Sequence, residues 1–496
     1  MSDRLLLYKI VRARDRRYDG RFYCGVRTTG IYCRPICPAR PKLENIVFYR
    51  SSAEAERAGF RACLRCRPDL APNSVQWRGT AAVVGRALTM ISQGDVDEIS
   101  MEVLAGKLGI SDRHLRRLFD EHVGASPLEV AISKRLHLAK HLLTQSNLPV
   151  TEVAFASGYK SLRRFNEAFR HRFKVSPTTF RRSTSPGQGP ALTQGLTPES
   201  RANFIRVAVP VIAPYDWDHI FAFLRDHAVE GVEGFRNGQY RRVFAAGDTV
   251  GTIEVGFDPK NAQLRAGISI SDPAGLRTVI ERVRDLFDAR VNPHAHLNDL
   301  CSTDPVALCY RRALGLRIPG SWDTFETAVC IILGQLVSVD QARQTVRKLV
   351  EQFGRRVRSP IFAECAVVFP CAQTLANANL KNVGITRVRE HAIRELARLV
   401  AEGQLDLSRS SDIERTRSQL LSIRGFGPWT VEMIAMRCLG DANAFPKSDL
   451  IIRRALNIHN YDSKEGDWSP WNAYITLALW KRYASELSRK RRMSPT

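Results

Sequence analysis

No stretch of this 496-residue chain approaches the ~20 consecutive apolar residues that cross a bilayer, which excludes a helical membrane protein. Its first residues, MSDRLLLYKIVRARDRR, have too short an apolar part for a signal peptide. The eleven cysteines are therefore expected as reduced thiols in a cytoplasmic setting, not as disulfides. No internal repeat of fixed period appears. Acidic residues are the scarce charge: 50 Asp+Glu stand against 74 Lys+Arg, a net +24 with a pI near 10.0.

What is present is unevenly spread. Residues 1–70 hold 16 basic and 7 acidic side chains, and residues 80–185 hold 16 and 10. About two thirds of the excess positive charge thus sits in the first 185 residues, as expected of a chain that tracks phosphates. The length is too great for one core, so three or four domains are expected. The clearest seam is STSPGQGPALTQGLTPESRA, Ser183 to Ala202, which reads as a flexible linker; RPDLAPNSVQWRG at 67–79 is a weaker one. After the linker, 203–310 alternates strand-like runs (FIRVAVPVI, LRAGISIS) with helices such as WDHIFAFLRDHA. From Leu314 onward the pattern is almost wholly helical.

Two cysteine pairs open the chain. Cys33 and Cys37 are followed, after 25 residues, by Cys63 and Cys66. Paired thiolates at short spacing around a long loop fit two knuckles closing on one tetrahedral Zn2+. A metal that only staples a module too small for its own core would leave the same spacing. The surrounding DGRFYCGVRTTGIYCRPICPAR, ENIVFY and AGFRACLRCRPD closely resemble the N-terminal domain of the Ada adaptive-response proteins over most of residues 10–70. That resemblance implies that the four cysteines bind zinc and that Cys33 also takes a methyl group from a methylated DNA phosphate. Zinc keeps such a sulfur as a thiolate at neutral pH. The thioether formed is not turned over, so each domain acts once. Four thiolates on Zn2+ carry a formal charge of −2, and methylation lowers it to −1, so the repaired state should bind DNA more tightly. Cys24 is expected as a packed side chain, not a fifth ligand.

SMEVLAGKLGISDRHLRRLFDEHVG (100–124) has an apolar stripe, a turn at Gly109, and a basic helix capped by Ser111 or Asp112. That is a helix-turn-helix, with Arg113, His114, Arg116 and Arg117 near the start of the recognition helix. A second copy turns at Gly158 and carries Arg163 and Arg164. Joined by PLEVAISKRLHLAKHLL, the two units resemble the AraC-type regulator domain, which in the Ada family follows the zinc module. Which bases these side chains contact does not follow from sequence, because an arginine can touch guanine or phosphate.

Near the C-terminus, LLSIRGFGPWTVEMIAMRCLG (420–440) forms a helix, a Gly425-x-Gly427 hairpin, and a helix with Pro428 in its first turn. Glycines let backbone approach a phosphate, and free amides at the next helix bind it. With NAFPKSDLIIRRAL, this segment resembles the helix-hairpin-helix DNA glycosylases, and TFETAVCIILGQLVSVDQA with WSPWNAYITLALW points to the AlkA-type 3-methyladenine enzymes. The resemblance covers nearly all of 203–485. It implies that Asp449 is the catalytic carboxylate, stabilising an oxocarbenium-like sugar, and that Trp429 and Trp480 wall the base pocket. Electron-rich rings suit cationic alkylated purines. Gln335 and Leu336, in GQLVS, match the DNA-contacting loop, Leu336 as the wedge that fills the gap left by a flipped nucleotide. Plainer roles exist for each: Asp449 as a helix cap, the tryptophans as core, Leu336 as a buried helix leucine.

Two departures stand out. Trp429 replaces the Schiff-base lysine of bifunctional relatives, so no strand-cleaving lyase is expected, and Met433 replaces a pocket tyrosine, which leaves the substrate range open. No PCHR-like motif is present, so the guanine-oxygen methyltransferase of full-length Ada is expected to be absent.

The expected fold is multidomain and mostly α. It comprises a zinc-bound α+β methyl-acceptor module at 1–75, an all-α double helix-turn-helix domain at 80–182, and the linker 183–202. An α+β domain at 203–310 and an all-α helix-hairpin-helix glycosylase domain at 311–490 follow. The expected function is an alkylation sensor and activator fused to a monofunctional glycosylase. The alternatives are a regulator whose second half only binds damage, and a zinc-stapled scaffold. Double-stranded DNA, alkylated and promoter, and RNA polymerase are the expected partners, in a bacterial cytoplasm at the nucleoid.

Overall fold

The computed structural model describes residues 2–63, 66, 68, 80–93, 101–146, 148–183, 204–246, 249–297, 300, 304–458 and 468–493. The expected linker beyond Ser183 and nearly all of the weaker seam at 67–79 lie outside the described residues. Two compact units form. One comprises Met1–Ile212, Asp258–Glu281 and Arg290–Ala295; the other comprises Ala213–Phe257, Arg282–Ala289 and His296–Thr496. The division therefore falls beyond the expected linker, inside the region predicted to be one α+β domain. Among the described residues no helix is long and apolar enough to cross a membrane.

The first unit begins with helix α1 (Ser2–Ala13) and a small sheet of β1 (Tyr23–Val26), β2 (Ile31–Cys33), β3 (Ile46–Tyr49) and β4 (Arg61–Ala62), in the order β3-β1-β2-β4. β1 sets Cys24 opposite Cys33, and β4 runs parallel to β2. Ile10, Val11, Phe22 and Ile46 share one buried cluster with Cys24, Cys33, Cys37 and Cys63, so the thiols are themselves core. Helix α2 (Ser52–Arg57) starts at Ser51, whose hydroxyl accepts from Glu54 N at 3.0 Å and donates to Val123 O at 2.7 Å.

The helical part of this unit is α3 (Thr80–Gln93), α4 (Met101–Lys107), α5 (Asp112–Val123), α6 (Pro127–Gln145), α7 (Val150–Ala156), α8 (Leu162–Phe173) and α9 (Pro177–Ser183). Ser111, not Asp112, caps α5. The turns before α5 and α8 need left-handed backbone, supplied by Gly109 (φ 72°) and Gly158 (φ 83°). Ser126 and Glu129 form a capping box on α6, with Pro127 in its first turn. Leu104, Leu115, Leu118 and Phe119 close the core of the first helix-turn-helix.

One buried carboxylate ties these modules together. Glu56 of α2 accepts from Tyr32 Oη at 2.7 Å and lies 2.6 Å from His137 Nε2 of α6. The Arg172 guanidinium of α8 sits 2.5 Å from the same oxygen. A carboxylate out of water needs such partners. Later in this unit β5 (Ile205–Pro210) pairs antiparallel with β9 (Gln263–Ser269).

In the second unit β6 (Glu233–Arg236), β7 (Gln239–Ala246) and β8 (Thr249–Asp258) form an antiparallel meander. Helices α10 (Trp217–Asp226), α11 (Thr324–Leu333), α12 (Val339–Phe353), α13 (Arg387–Ala401), α14 (Ile413–Ser422), α15 (Pro428–Ile434), α16 (Leu450–Ile458) and α17 (Asn472–Met493) build most of the rest. Within the predicted all-helical region Arg355–Arg356 pair with Val367–Val368, a two-residue strand pairing that departs from that expectation. Helix α11 is buried along almost its whole length, and its Glu326 reaches the Arg242 guanidinium of β7, which also holds Glu233 at 3.0 Å.

Candidate functional site

The sulfur atoms of Cys33, Cys37, Cys63 and Cys66 all lie within 4.8 Å of one another. Cys33 ends β2, Cys37 follows a tight turn (Cys37 N donates to Arg34 O at 3.1 Å), and Cys63 follows β4. Cys37 and Cys63 with burial push the Cys33 thiol far above its ordinary value, since thiolates this close repel. A divalent cation among them reverses that balance. The fit to a tetrahedral ion is good: four sulfurs, short loops, and Arg34 N donating to Cys66 Sγ at 3.4 Å. Cys24 stays outside the cluster; its Sγ lies 3.5 Å from Cys33 O, and burial pushes its thiol up to about 12. Cys33 is 4% exposed, whereas Cys66 is half-buried.

On α5, Arg113, Arg116 and Arg117 are exposed and His114 is half-buried. Arg116 Nε bonds Asp112 at 2.9 Å, and Arg117 lies 3.2 Å from His114 Nδ1. Arg163 and Arg164 are exposed at the start of α8, with Arg163 Nε donating to Glu167 at 3.0 Å. The exposed arginines thus gather at the N-terminal ends of α5 and α8, three of them held by a partner on their own helix.

In the second unit a cavity of about 980 Å³ opens beside Asp449 and is lined by Trp429, Met433 and Trp480. Asp449 precedes α16, and the local chain explains why it is rigid. Its Oδ1 accepts from Ile451 N and Ile452 N, both at 3.0 Å, so the helix-cap role is real. The Trp480 indole Nε1 donates to the same oxygen at 3.2 Å, and Trp429 Nε1 donates to Oδ2 at 3.0 Å. With three donors on Oδ1 and one on Oδ2, Oδ2 is the oxygen that retains acceptor capacity. The loop before it is fastened as well. Arg417 of α14 binds Glu432 of α15 at 3.1 Å and Asp441 at 2.7 Å, and Glu432 accepts from Phe445 N at 2.8 Å.

The hairpin before α15 behaves as its glycines require. Gly425 has φ 101°, and a Cβ there would meet Val388 Cγ1 at 3.0 Å. A Cβ at Gly427 would project into open space, the side from which a phosphate can approach, and Pro428 opens the helix. Leu336 is not buried: it lies past the end of α11, 102% exposed with φ 55°. Gln335, from the same loop, donates to Gly425 O at 3.2 Å and Thr430 Oγ1 at 2.7 Å, which ties the loop to the hairpin.

Several pocket residues escaped the sequence. His219 and Phe223 of α10, Glu326 and Cys330 of α11, and Arg437 line the cavity. Burial pushes Glu326 up to about 7 against the pull of Arg242, and holds Arg437 below its ordinary value. No local spacing links residues so far apart in the chain; only the fold gathers them.

Comparison with known proteins matches three family models: the metal binding domain of Ada at residues 7–69, a helix-turn-helix domain at 104–183, and the AlkA N-terminal domain at 206–323. With the first of these, the four-sulfur cluster establishes a site for one Zn2+. The chain is 31% identical over 283 residues to DNA-3-methyladenine glycosylase 2 of Escherichia coli, covering 54% of this chain and 94% of that one. It is 42% identical over 121 residues to the bifunctional transcriptional activator/DNA repair enzyme Ada of the same organism, covering 24% and 33%. Over 486 residues, 95% of both chains, it is 36% identical to the probable bifunctional transcriptional activator/DNA repair enzyme AlkA of Mycobacterium tuberculosis. The chain belongs to this family of bifunctional transcriptional activator/DNA repair enzymes of the AlkA type.

Proposed function

We propose that the second unit excises alkylated bases such as 3-methyladenine from DNA, and that the first accepts methyl groups from DNA phosphotriesters and then activates transcription. The observation that carries the excision reading is Asp449, a half-buried carboxylate fixed between two indoles at a cavity of about 980 Å³. An alkylated purine is cationic and leaves as a neutral base, so no general acid is needed. As the glycosidic bond breaks, positive charge grows on the sugar, and Asp449 Oδ2, which accepts from Trp429 Nε1, is the oxygen that stabilises it. Trp429 and Trp480 stack the flipped cation, worth roughly 0.5–2 kcal/mol in such pairs. Water then completes the sugar and leaves an intact abasic strand; Trp429, standing where a lysine would attack, supports that outcome. Gly425, Gly427 and the first amides of α15 take the phosphate, and Met433 sets one wall of the pocket.

In the first unit the ligands are Cys33, Cys37, Cys63 and Cys66, and Cys33 is the acceptor. When bound, zinc holds the sulfurs as thiolates. The Cys33 sulfur attacks the methyl carbon as the phosphate oxygen departs with the bond pair. Arg113, His114, Arg116, Arg117, Arg163 and Arg164 carry the promoter contact, RNA polymerase is the partner, and the protein works at the bacterial nucleoid. For the functional domains we propose the limits read from sequence, 1–75, 80–182, 203–310 and 311–490, around a linker at 183–202.

One incubation tests both halves. Methylated duplex DNA with the full chain should release free methylated bases and place one methyl on the Cys33 peptide. Methyl on Cys66, the more exposed sulfur, or no released base would overturn the corresponding half.

A further inference from the structure

The strain at Leu336 has an unexplained support. A leucine at φ 55° with its whole side chain in solvent gains nothing from packing, so its surroundings must hold the backbone there. Two side chains do so, both on the peptide that precedes it. Gln335 reaches across to the hairpin, donating to Gly425 O at 3.2 Å and Thr430 Oγ1 at 2.7 Å. From a third segment, the Arg389 guanidinium at the start of α13 donates to Gln335 O. The same turn of α13 touches the hairpin again, since a Cβ at Gly425 would crowd Val388 Cγ1 at 3.0 Å and Val388 O at 3.3 Å. The loop after α11, the hairpin and the start of α13 are thus bolted at one residue, Gln335, by its side chain and its carbonyl, and that residue sets the direction in which Leu336 projects.

We propose that Arg389 and Gln335 are positioning residues for base extrusion: they hold the Leu336 wedge in register with the phosphate-binding hairpin, so that gripping the backbone and filling the vacated stack are one rigid event. This rests on the reading of the cavity as a pocket for a flipped base. Neither side chain touches the reacting atoms. Their contribution is confined to a stacked duplex, because an unpaired strand leaves no gap to fill.

The test measures single-turnover excision of one methylated base by the full chain, from a duplex and from the same strand unpaired. Arg389→Met keeps the aliphatic stem and removes the donor. It should slow duplex excision by about tenfold or more, the scale of a small misplacement, and leave the unpaired strand within about twofold. Arg389→Lys, which can still donate to the carbonyl, should restore most of the duplex rate. Leu336→Ala should show the same duplex-only loss, and the double variant Arg389→Met/Leu336→Ala should be no slower than Leu336→Ala alone. Equal loss on both substrates, or losses that multiply in the double variant, would overturn the positioning role while leaving the pocket reading intact. If wild type releases no base from either substrate, the pocket reading itself fails and this inference falls with it.

Discussion

The thiol cluster and the base pocket are built in opposite ways. The cluster draws its ligands from residues 33 to 66, and three of the four cysteines belong to the buried core of their own module. The pocket draws its walls from His219 to Ser485 and leaves the Asp449 carboxylate half-exposed at its edge. In the first, chemistry and folding share the same atoms. In the second, a scaffold that folds independently of the reaction holds a few groups up to a cavity.

The comparison breaks most easily at the metal. Structural zinc contributes about 10–16 kcal/mol of binding energy to small modules. Chelation should therefore melt the sheet β1–β4, seen as lost amide protection, while base release by the second unit stays near its starting rate. Persistent protection of β1 to β3 without zinc would show a core that stands without its ligands. The next largest effect is on the other side. Asp449→Asn should lower excision on the order of 100-fold or more, the range for losing one electrostatic contact. Its amide oxygen still accepts from Ile451 and Ile452 while its NH2 gives Trp429 Nε1 no acceptor, so stability should fall by no more than about 1–3 kcal/mol; a larger drop would mean that this carboxylate, too, is structural.

Gly425→Ala sharpens the contrast from within the scaffold. At φ 101°, with Val388 Cγ1 at 3.0 Å, the substitution should cost about 1–3 kcal/mol of stability, read by denaturant titration. The smallest effect is expected on the recognition helices. Arg113→Ala should reduce the salt slope of duplex binding by about one, with little change in folding. An unchanged slope would remove Arg113 from the phosphate contacts.

The difference in construction also decides what was legible beforehand. Metal ligands must converge on a point from short loops, so Cys33, Cys37, Cys63 and Cys66 announce themselves by spacing. Ser111, Gly109 and Pro428 were readable for a similar reason, since caps and turns are local. Asp449 was singled out through the motif around it, not through any property of the carboxylate. Gln335 was placed in its loop, but its bonds to Gly425 and Thr430 could not be read, because those partners come some 90 residues later. Arg242, Glu326 and Arg417 carried no signal at all: a charged residue on a strand or helix looks solvated until the fold buries it.

The ion pair between Arg242 and Glu326 bears on how this protein can be taken apart. The strand-to-helix change at about residue 310 invites a cut there, to isolate a helical enzyme. Such a fragment would keep Glu326, 8% exposed, and discard the arginine that neutralises it. Breaking one side of a buried pair costs about 3–5 kcal/mol, unless the carboxyl takes up a proton instead. Its value, already pushed up to about 7, says how near it stands to doing so. The smallest excising piece must therefore begin upstream of β6, and dissection has to follow the charges, not the change of secondary structure.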